Sequence, residues 1–488
     1  MTTTSSSLFP VILHHLRLCW NFLLSLFHIR PANRSGSSSA IISLTNLLSK
    51  SRPQLLTFDN GTQVSIGNQI AEGGFSYVFE AFPVSTSSSV SSSSDHTTKK
   101  YALKRINCSD QELLQSCRHE AGIHRSLPRH HPNLLELLGL KFEQENHNQS
   151  SSSLSGEYNV CYMLFPHVPN SLRGEITRRN ILSNTATNTG NYSNHSHTAS
   201  RRRPFTITEA LHLFRGILDG LLTMHNTNLS HRDVKLENVL LSQSTYTDHH
   251  HTNSKSTVTP ILMDYGSAGP LQSTPLTTRN AILQLIELAE SHTTFSYRPP
   301  ELSDVGNLRA SSSCVVDYGR VDVWSLGCVL FGILHGVSPF EMDFVRRSGG
   351  SEMIGQQHQQ QQYGMVRVVE CTTLKILGEV PFPPWAGNGL GDDDPSVIGD
   401  GSDGRYPLSL YNFIRYMVQQ DRMSRPTLYE VRERFGQLHY ELLGEEWIPY
   451  SDSCGRGGSG SGDDRSSHVE LDGGHDDFDS LIASRDFV

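Results

Sequence analysis

His231-Arg232-Asp233-Val234-Lys235-Leu236-Glu237-Asn238 sets a carboxylate, an ammonium and a carboxamide close together, and Asp264-Tyr265-Gly266 supplies another carboxylate beyond a low-complexity interruption. Moving a phosphoryl group from a magnesium nucleotide requires an aligned hydroxyl, a carboxylate to take its proton, and cations against the phosphate oxygens. A protein doing this mostly positions and screens charge. Asp233 can accept the proton, Asn238 and Asp264 can hold two metal ions, and Lys235 can reach both the hydroxyl and the γ-phosphate. A lone His-Arg-Asp is more often a solvated turn or a helix cap. Here Val239-Leu240-Leu241 reads as a strand, and Ile261-Leu262-Met263 runs directly into Asp264. Both metal ligands are therefore expected at the ends of a short hairpin.

Elements on either side extend the pattern. Ile70-Ala71-Glu72-Gly73-Gly74-Phe75-Ser76-Tyr77-Val78 lies between apolar strand candidates, in the place of a glycine-rich phosphate lid. Glycine there lets backbone N–H groups approach phosphates without a Cβ in the way, although Ala71 and Ser76 replace two of the usual glycines, and taken alone the segment reads more readily as an ordinary hairpin turn. Tyr101-Ala102-Leu103-Lys104 reads as the next strand, with Lys104 able to grip the α- and β-phosphates if a carboxylate braces it. Glu120, on the amphipathic segment from Gln111 to Leu127, is the candidate brace. Downstream, Thr294-Phe295-Ser296-Tyr297-Arg298-Pro299-Pro300-Glu301 precedes a buried-helix pattern that starts at Asp322-Val323-Trp324-Ser325-Leu326-Gly327.

Taken together, these motifs resemble the protein-kinase signature, in the family's order. The resemblance spans about Phe58 to Leu443, and the lid, the run Ile261 to Ala268 and Ser296-Tyr297-Arg298 narrow it to the Numb-associated kinase family. Within that family the chain is most similar to the small myristoylated and palmitoylated, Golgi-associated serine/threonine type. The resemblance implies an α+β, two-lobed fold: an N-lobe antiparallel sheet with one main helix over 54–168, and a larger, mostly helical C-lobe over 169–445. It implies ATP and Mg2+ as cofactors and protein hydroxyls as substrates. Nucleotide contacts are expected from Ala71, Gly73, Gly74, Val78, Ala102 and Lys104, with Asn238 and Asp264 on the metal. Tyr162-Met163-Leu164-Phe165-Pro166 matches the hinge, which makes Phe165 the gatekeeper and sets the backbones of Pro166 and Val168 toward adenine. Asp322 is expected to brace the catalytic-loop backbone, and Glu301 to pair with Arg425. Lys235, with Thr294 beside it, marks serine/threonine rather than tyrosine specificity. Tyr265 stands where many kinases have Phe, keeping an aromatic plug and adding a hydroxyl expected to alter regulation more than chemistry.

Apolar residues Ile282, Leu285, Ile286, Leu288 and Ala289 recur at near-helical spacing in Thr278–Ser291, which predicts a helix inside the activation segment. Such packing would hold the segment ordered and the enzyme active without phosphorylation. Thr293, Thr294 and Ser296 remain candidate phosphate acceptors, with Arg232 as a candidate partner for the phosphate.

The chain has 488 residues, a net charge of −9, 36% hydrophobic and 8% aromatic residues, and eight scattered cysteines. Its length suits one two-lobed domain with flanks, and the cysteines read as reduced thiols of a cytoplasmic protein. Low-complexity tracts at 85–98, 144–156, 183–200, 243–259 and 355–362 dilute the apolar content and fall where surface turns are expected. His249-His250-His251 has no acid or Cys at ligand spacing and reads as loop rather than metal site.

Residues 1–53 are apolar and basic, with no acid before Asp59. A targeting peptide, a transmembrane helix interrupted by Pro10, His14, His15, Arg17 and Asn21, and an interfacial helix with Cys19 available for palmitoylation compete. Attachment to a membrane surface, Golgi-like or other endomembrane, is the favoured reading. Met1-Thr2 lacks the second-position glycine that N-myristoylation needs. The acidic tail over 446–488 reads as a solvated segment, with Asp486-Phe487-Val488 as an alternative peptide ligand. No basic stripe with interleaved aromatics points to nucleic acid. Two functional classes stay open: an active kinase, and a scaffold that keeps the fold and signals by binding.

Overall fold

The computed structural model of the chain describes residues 54–73, 76–84, 99–144, 160–186, 204–246, 255–304, 315–346, 363–383 and 406–448. The expectations for residues 1–53 with Cys19, for Gly74, for His249–His251, for the interiors of the low-complexity tracts and for the tail beyond 448 lie outside these. Two compact units form, one from residues up to 114 with 138–167, the other from 115–137 with residues from 168 onward.

The first unit is an antiparallel sheet of six strands: β1 (Leu55–Thr57), β2 (Gln63–Glu72), β3 (Ser76–Pro83), β4 (Tyr101–Asn107), β5 (Gly139–Glu143) and β6 (Val160–Pro166), in the order β1-β2-β3-β4-β6-β5. Successive strand residues point to opposite faces. Val64, Ala81, Leu103, Val160, Tyr162 and Leu164 therefore share one face, where they bury themselves with Leu56 and Phe58. Lys104 and Ala102, flanking Leu103, lie on the other face. Register carries that face across the sheet, because Val78 pairs with both Ala71 and Lys104 while Ala102 pairs with Phe165. Ala71, Val78, Ala102, Lys104 and Phe165 thus stand in neighbouring rows of a single sheet face. The turn between β2 and β3 closes by a Gly73 N–H donating to the Ser76 carbonyl at 2.7 Å.

Helix α1 (Gln111–Ser126) follows, and the unit boundary falls within it. The second unit continues with β7 (Asn170–Ser171), α2 (Leu172–Ala186), α3 (Ile207–Asn226), β8 (Leu229–Ser230), β9 (Val239–Tyr246), β10 (Lys255–Leu262), β11 (Gly269–Pro270), α4 (Arg279–His292), α5 (Pro300–Ser303) and α6 (Tyr318–His335). It ends with β12 (Met342–Arg346), β13 (Tyr363–Val368), α7 (Thr373–Leu377), α8 (Leu408–Met417) and α9 (Leu428–Leu443). Thr206 and Glu209 form a reciprocal capping box that starts α3. Helix α6 is apolar nearly all round and is buried from Tyr318 to Leu334 except at Arg320, as a central helix must be. Phe214, Trp324, Phe331, Tyr411, Phe413 and Phe435 fill the core between α3, α6, α8 and α9.

This is the two-lobed kinase fold, an antiparallel sheet unit and a larger helical one. The β12–β13 pair was not anticipated. Its strands flank the glutamine tract, and nothing local in either short segment marks the other as its partner.

Candidate active site

Strands β9 and β10 pair in register from Val239↔Leu262 outward, so the hairpin expected from the sequence forms. It sets Asn238 and Asp264 at its root, where the Met263 N–H donates to the Asn238 carbonyl at 3.0 Å. The loop before it is held from beneath by Asp322 on α6, which is fully buried. Asp322 Oδ2 accepts from His231 N at 2.9 Å, Ser230 Oγ at 2.8 Å and His225 Nε2 at 2.9 Å, and Oδ1 accepts from Arg232 N at 2.8 Å. Burial alone would push this carboxyl up. The His225 hydrogen bond and charge, with those of its other neighbours, reverse that and hold it below the ordinary range. Such a brace is needed because Arg232 sits in the left-handed region at φ 67°.

Four polar side chains then meet above the brace. Asp233 Oδ2 accepts from Lys235 Nζ at 2.7 Å and from Asn238 Nδ2 at 3.2 Å, while Oδ1 accepts from the Thr294 hydroxyl at 2.7 Å and the Thr294 N–H at 3.0 Å. Lys235 Nζ also donates to Thr294 Oγ1 at 2.8 Å, closing a ring of three residues. Burial works to lower the Lys235 ammonium, but the Asp233 carboxylate, with Asp264 and Glu237 behind it, holds it above its ordinary value.

Asn238 spends its amide N–H groups on Asp233, and neither its amide oxygen nor the Asp264 carboxylate has a hydrogen-bond partner among the described residues. Asp264 is exposed and left-handed, at φ 66°. A Cβ placed on Gly266 would lie 3.6 Å from Asp264 Oδ1 and 3.9 Å from Glu120 Oε2, so two carboxylates converge on that glycine. Glu120 itself is 6% exposed. A hard divalent cation that keeps several waters fits this set of oxygen donors.

The predicted positions therefore fall as follows. Asp233, Lys235, Asn238, Asp264 and Glu120 gather in the second unit, which also contains Val168; Ala71, Gly73, Val78, Ala102, Lys104 and Pro166 belong to the first. The expected pair of Glu301 and Arg425 is present and bidentate, at 2.7 and 3.0 Å.

The activation-segment helix is α4, capped by Thr278. It buries Leu285 and Ala289 against Leu302, Val316, Tyr318 and Val321, with Ile282, Ile286 and Leu288 packed alongside. All three candidate phosphate acceptors are held: Thr294 as above, Thr293 between the Ala289 carbonyl at 2.6 Å and Arg298 Nε at 2.7 Å, and Ser296 buried with its carbonyl accepting from the Ser338 hydroxyl at 2.5 Å. The expected phosphate partner is engaged as well. Arg232 donates to the Pro270 carbonyl at 2.7 Å and lies 3.8 Å above the Tyr318 ring. Gly269 makes room for it, since a Cβ there would come within 2.7 Å of the guanidinium.

Several positioning groups escaped sequence reasoning. Arg173 at the start of α2 donates to Glu237 at 2.7 Å and to the Gly336 carbonyl at 2.7 Å, tying the catalytic loop to α2 and to the turn that ends α6. His225 and Tyr318 act at similar separations. No spacing rule links residues so far apart, and only the preserved order of motifs hinted that they would meet.

Comparison with known proteins agrees. The family model described as protein kinase domain matches residues 66–435. Serine/threonine-protein kinase 16 of Homo sapiens is 31% identical over 292 residues, 60% of this chain and 75% of that protein. Its Rattus norvegicus counterpart is 31% identical over 277 residues, 57% of this chain and 70% of that protein. A probable serine/threonine-protein kinase of Dictyostelium discoideum is 25% identical over 441 residues, covering 80% of this chain and 98% of its own length. A match that runs from the lid strands into the last helix leaves one assignment: this chain belongs to the protein kinase family and is a serine/threonine protein kinase.

Proposed function

We propose that the chain transfers the γ-phosphate of ATP to serine or threonine hydroxyls of proteins through Asp233, Lys235, Asn238, Asp264, Lys104 and Glu120. The ring of Asp233, Lys235 and Thr294 carries this reading. A carboxylate held ionised beside an ammonium takes the hydroxyl proton, and Lys235 screens charge that develops on the phosphoryl oxygens. Kinases use ATP and usually Mg2+; Asn238 and Asp264 would hold the metal, whose part is to neutralise phosphate charge. Lys104 is expected to hold the α- and β-phosphates with Glu120 as its brace, and Ala71, Gly73, Gly74, Val78, Ala102, Pro166 and Val168 are expected to contact the nucleotide. The lid, the Asp264-Tyr265-Gly266-Ser267-Ala268 run and Ser296-Tyr297-Arg298 support membership in the Numb-associated group.

Activity without an upstream kinase follows from the engaged hydroxyls of Thr293 and Thr294, the burial of Ser296 and the apolar packing of α4. Phosphatase-treated protein is expected to phosphorylate a generic protein substrate from labelled ATP at a rate close to that of untreated protein, while Asp264→Asn gives no signal. Equal signal from Asp264→Asn and the parent would leave only the scaffold reading; silence of the dephosphorylated parent alone would place control in phosphorylation.

Residues 1–53 favour attachment to an endomembrane surface, because an acid-free, apolar and basic segment suits an anionic interface. Removing residues 1–50 is expected to move the protein from the membrane fraction of cells to the soluble one. An unchanged distribution would eliminate the anchor.

A further inference from the structure

Tyr265 is fully buried between two imidazoles, with ring centroids 4.6 Å from His124 and 5.7 Å from His231. A phenylalanine would fill the same space, so packing does not account for the hydroxyl. That hydroxyl donates to the Leu262 carbonyl at 2.9 Å and accepts from the Leu135 N–H at 3.0 Å. Leu135 N–H also reaches the Leu262 carbonyl at 2.9 Å, so the three groups are mutually bonded. Leu262 N–H in turn donates to the Asn133 carbonyl at 2.9 Å.

The chain between the two ends of this clamp is short. Leu262 ends β10 and Tyr265 opens the next turn, leaving only Met263 and Asp264 between them. Asp264 stands there at φ 66° and ψ 74°, a backbone conformation that a residue with a Cβ enters only when its surroundings hold it. Its own side chain makes no capping bond, so the strain is not relieved locally. The bond from Tyr265 to Leu262 bridges the strained residue, and the Leu135 N–H moors the bridge to residues 133–135.

We propose that the Tyr265 hydroxyl is a positioning group that holds Asp264 in its left-handed conformation, so that its carboxylate is set for a divalent cation before nucleotide arrives. The inference rests on the reading of Asp264 as a metal ligand. Freed from the clamp, residues 263–266 relax toward ordinary backbone angles and the carboxylate turns away. The cation must then restore that geometry at the expense of its own affinity.

The test compares the full chain with Tyr265→Phe and Asp264→Asn, reading the thermal shift produced by a non-hydrolysable ATP analogue as MgCl2 is titrated in. Tyr265→Phe is expected to match the parent with nucleotide in EDTA and to need about fivefold more Mg2+ for half of the metal-dependent shift, the factor one net hydrogen bond supplies. Asp264→Asn is expected to lose the metal-dependent shift. Superimposable Mg2+ titrations for parent and Tyr265→Phe would overturn the clamp while leaving the metal ligand in place, as would an equal loss of nucleotide binding in EDTA, which marks a general structural role. A full metal response from Asp264→Asn would instead overturn the reading beneath it. Hydrogen exchange on the parent gives an independent measure: the hydrogen-bonded amides of Leu135 and Leu262 are expected to exchange slowly before nucleotide is added. Fast exchange that slows only with Mg2+ and nucleotide would also overturn the clamp.

Discussion

Asp233→Asn is expected to lower phosphotransfer by about 10²- to 10⁴-fold while nucleotide still binds, because the amide keeps the shape of the side chain and loses its power to take a proton. Single-turnover phosphorylation of a protein substrate, set beside nucleotide affinity, separates the two effects. A rate within about tenfold of the parent would show that another group is the base. The pH profile gives a second view of the same residue. Burial pushes the Asp233 carboxyl up, but the Lys235 charge and hydrogen bond, then the Thr294 hydroxyl, outweigh it and hold the carboxyl below its ordinary range. The base form therefore persists at neutral pH, and the acid limb of kcat/KM is expected at a lower pH than an ordinary aspartate would give. Stability follows the same sign. The folded state binds the Asp233 proton less tightly than the unfolded chain does, so this group stabilises the fold above the unfolded pKa of about 3.9. That contribution is lost as pH falls through the lower folded value. Lys235→Met removes the largest opposition to burial, leaving the Thr294 hydroxyl and His231, and is expected to carry the acid limb upward. An acid limb that stays in place would show that Lys235 does not set the proton affinity of the base.

Glu301→Ala is expected to destabilise the protein by about 3–5 kcal/mol, since it strands a guanidinium that cannot reach water. Arg425 is fully buried, meets Glu301 at 2.7 and 3.0 Å, and lies 5.0 Å from the Trp324 ring. Its remaining donors reach the Gln419 carbonyl at 3.2 and 3.1 Å and the Arg320 carbonyl at 3.1 Å, so the site is built around charge on one side and carbonyl dipoles on the other. Pairing Glu301→Ala with Arg425→Met should recover much of the loss, because the unbranched thioether fills the space and brings no charge. Urea unfolding with an unchanged m-value is the measurement. A loss below about 1 kcal/mol for Glu301→Ala would mean that water reaches the guanidinium after all. The consequence for function is indirect: Glu301 lies in the first turn of α5, just beyond Tyr297, Arg298 and the two prolines, so loosening it loosens the segment that carries Thr294 toward Asp233.

The two variants act at different points in the molecule. Asp233 faces the reacting atoms and its loss is felt in rate, whereas Glu301 faces the core and its loss is felt first in stability. Arg232 separates the two regions. Its guanidinium reaches Pro270 and the Tyr318 ring while its Nε stays buried without a hydrogen-bond partner among the described residues, and the catalytic loop is held by Asp322 and the segment by α4.

Motif order and periodicity carried much of this in the primary structure. Alternation around Leu103 placed Lys104 on a strand face, the apolar runs before Asp264 and after Asn238 announced the hairpin, and Ile282, Leu285, Ile286, Leu288 and Ala289 announced α4. Those features are local: a period of two or 3.6 residues is written in neighbouring side chains, and the chain reads it without reference to distant parts. What the tertiary structure alone decided is where long-range donors and acceptors end. The four donors on Asp322 come from as far back as His225, Arg173 finds Glu237 and Gly336, and Tyr318 takes the arginine that the sequence offered to a phosphate. The hydroxyl of Tyr265 meets Leu135 across 130 residues. Such bonds depend on which buried groups still lack a partner once the helices and strands have packed, and that shortage exists only in the folded chain.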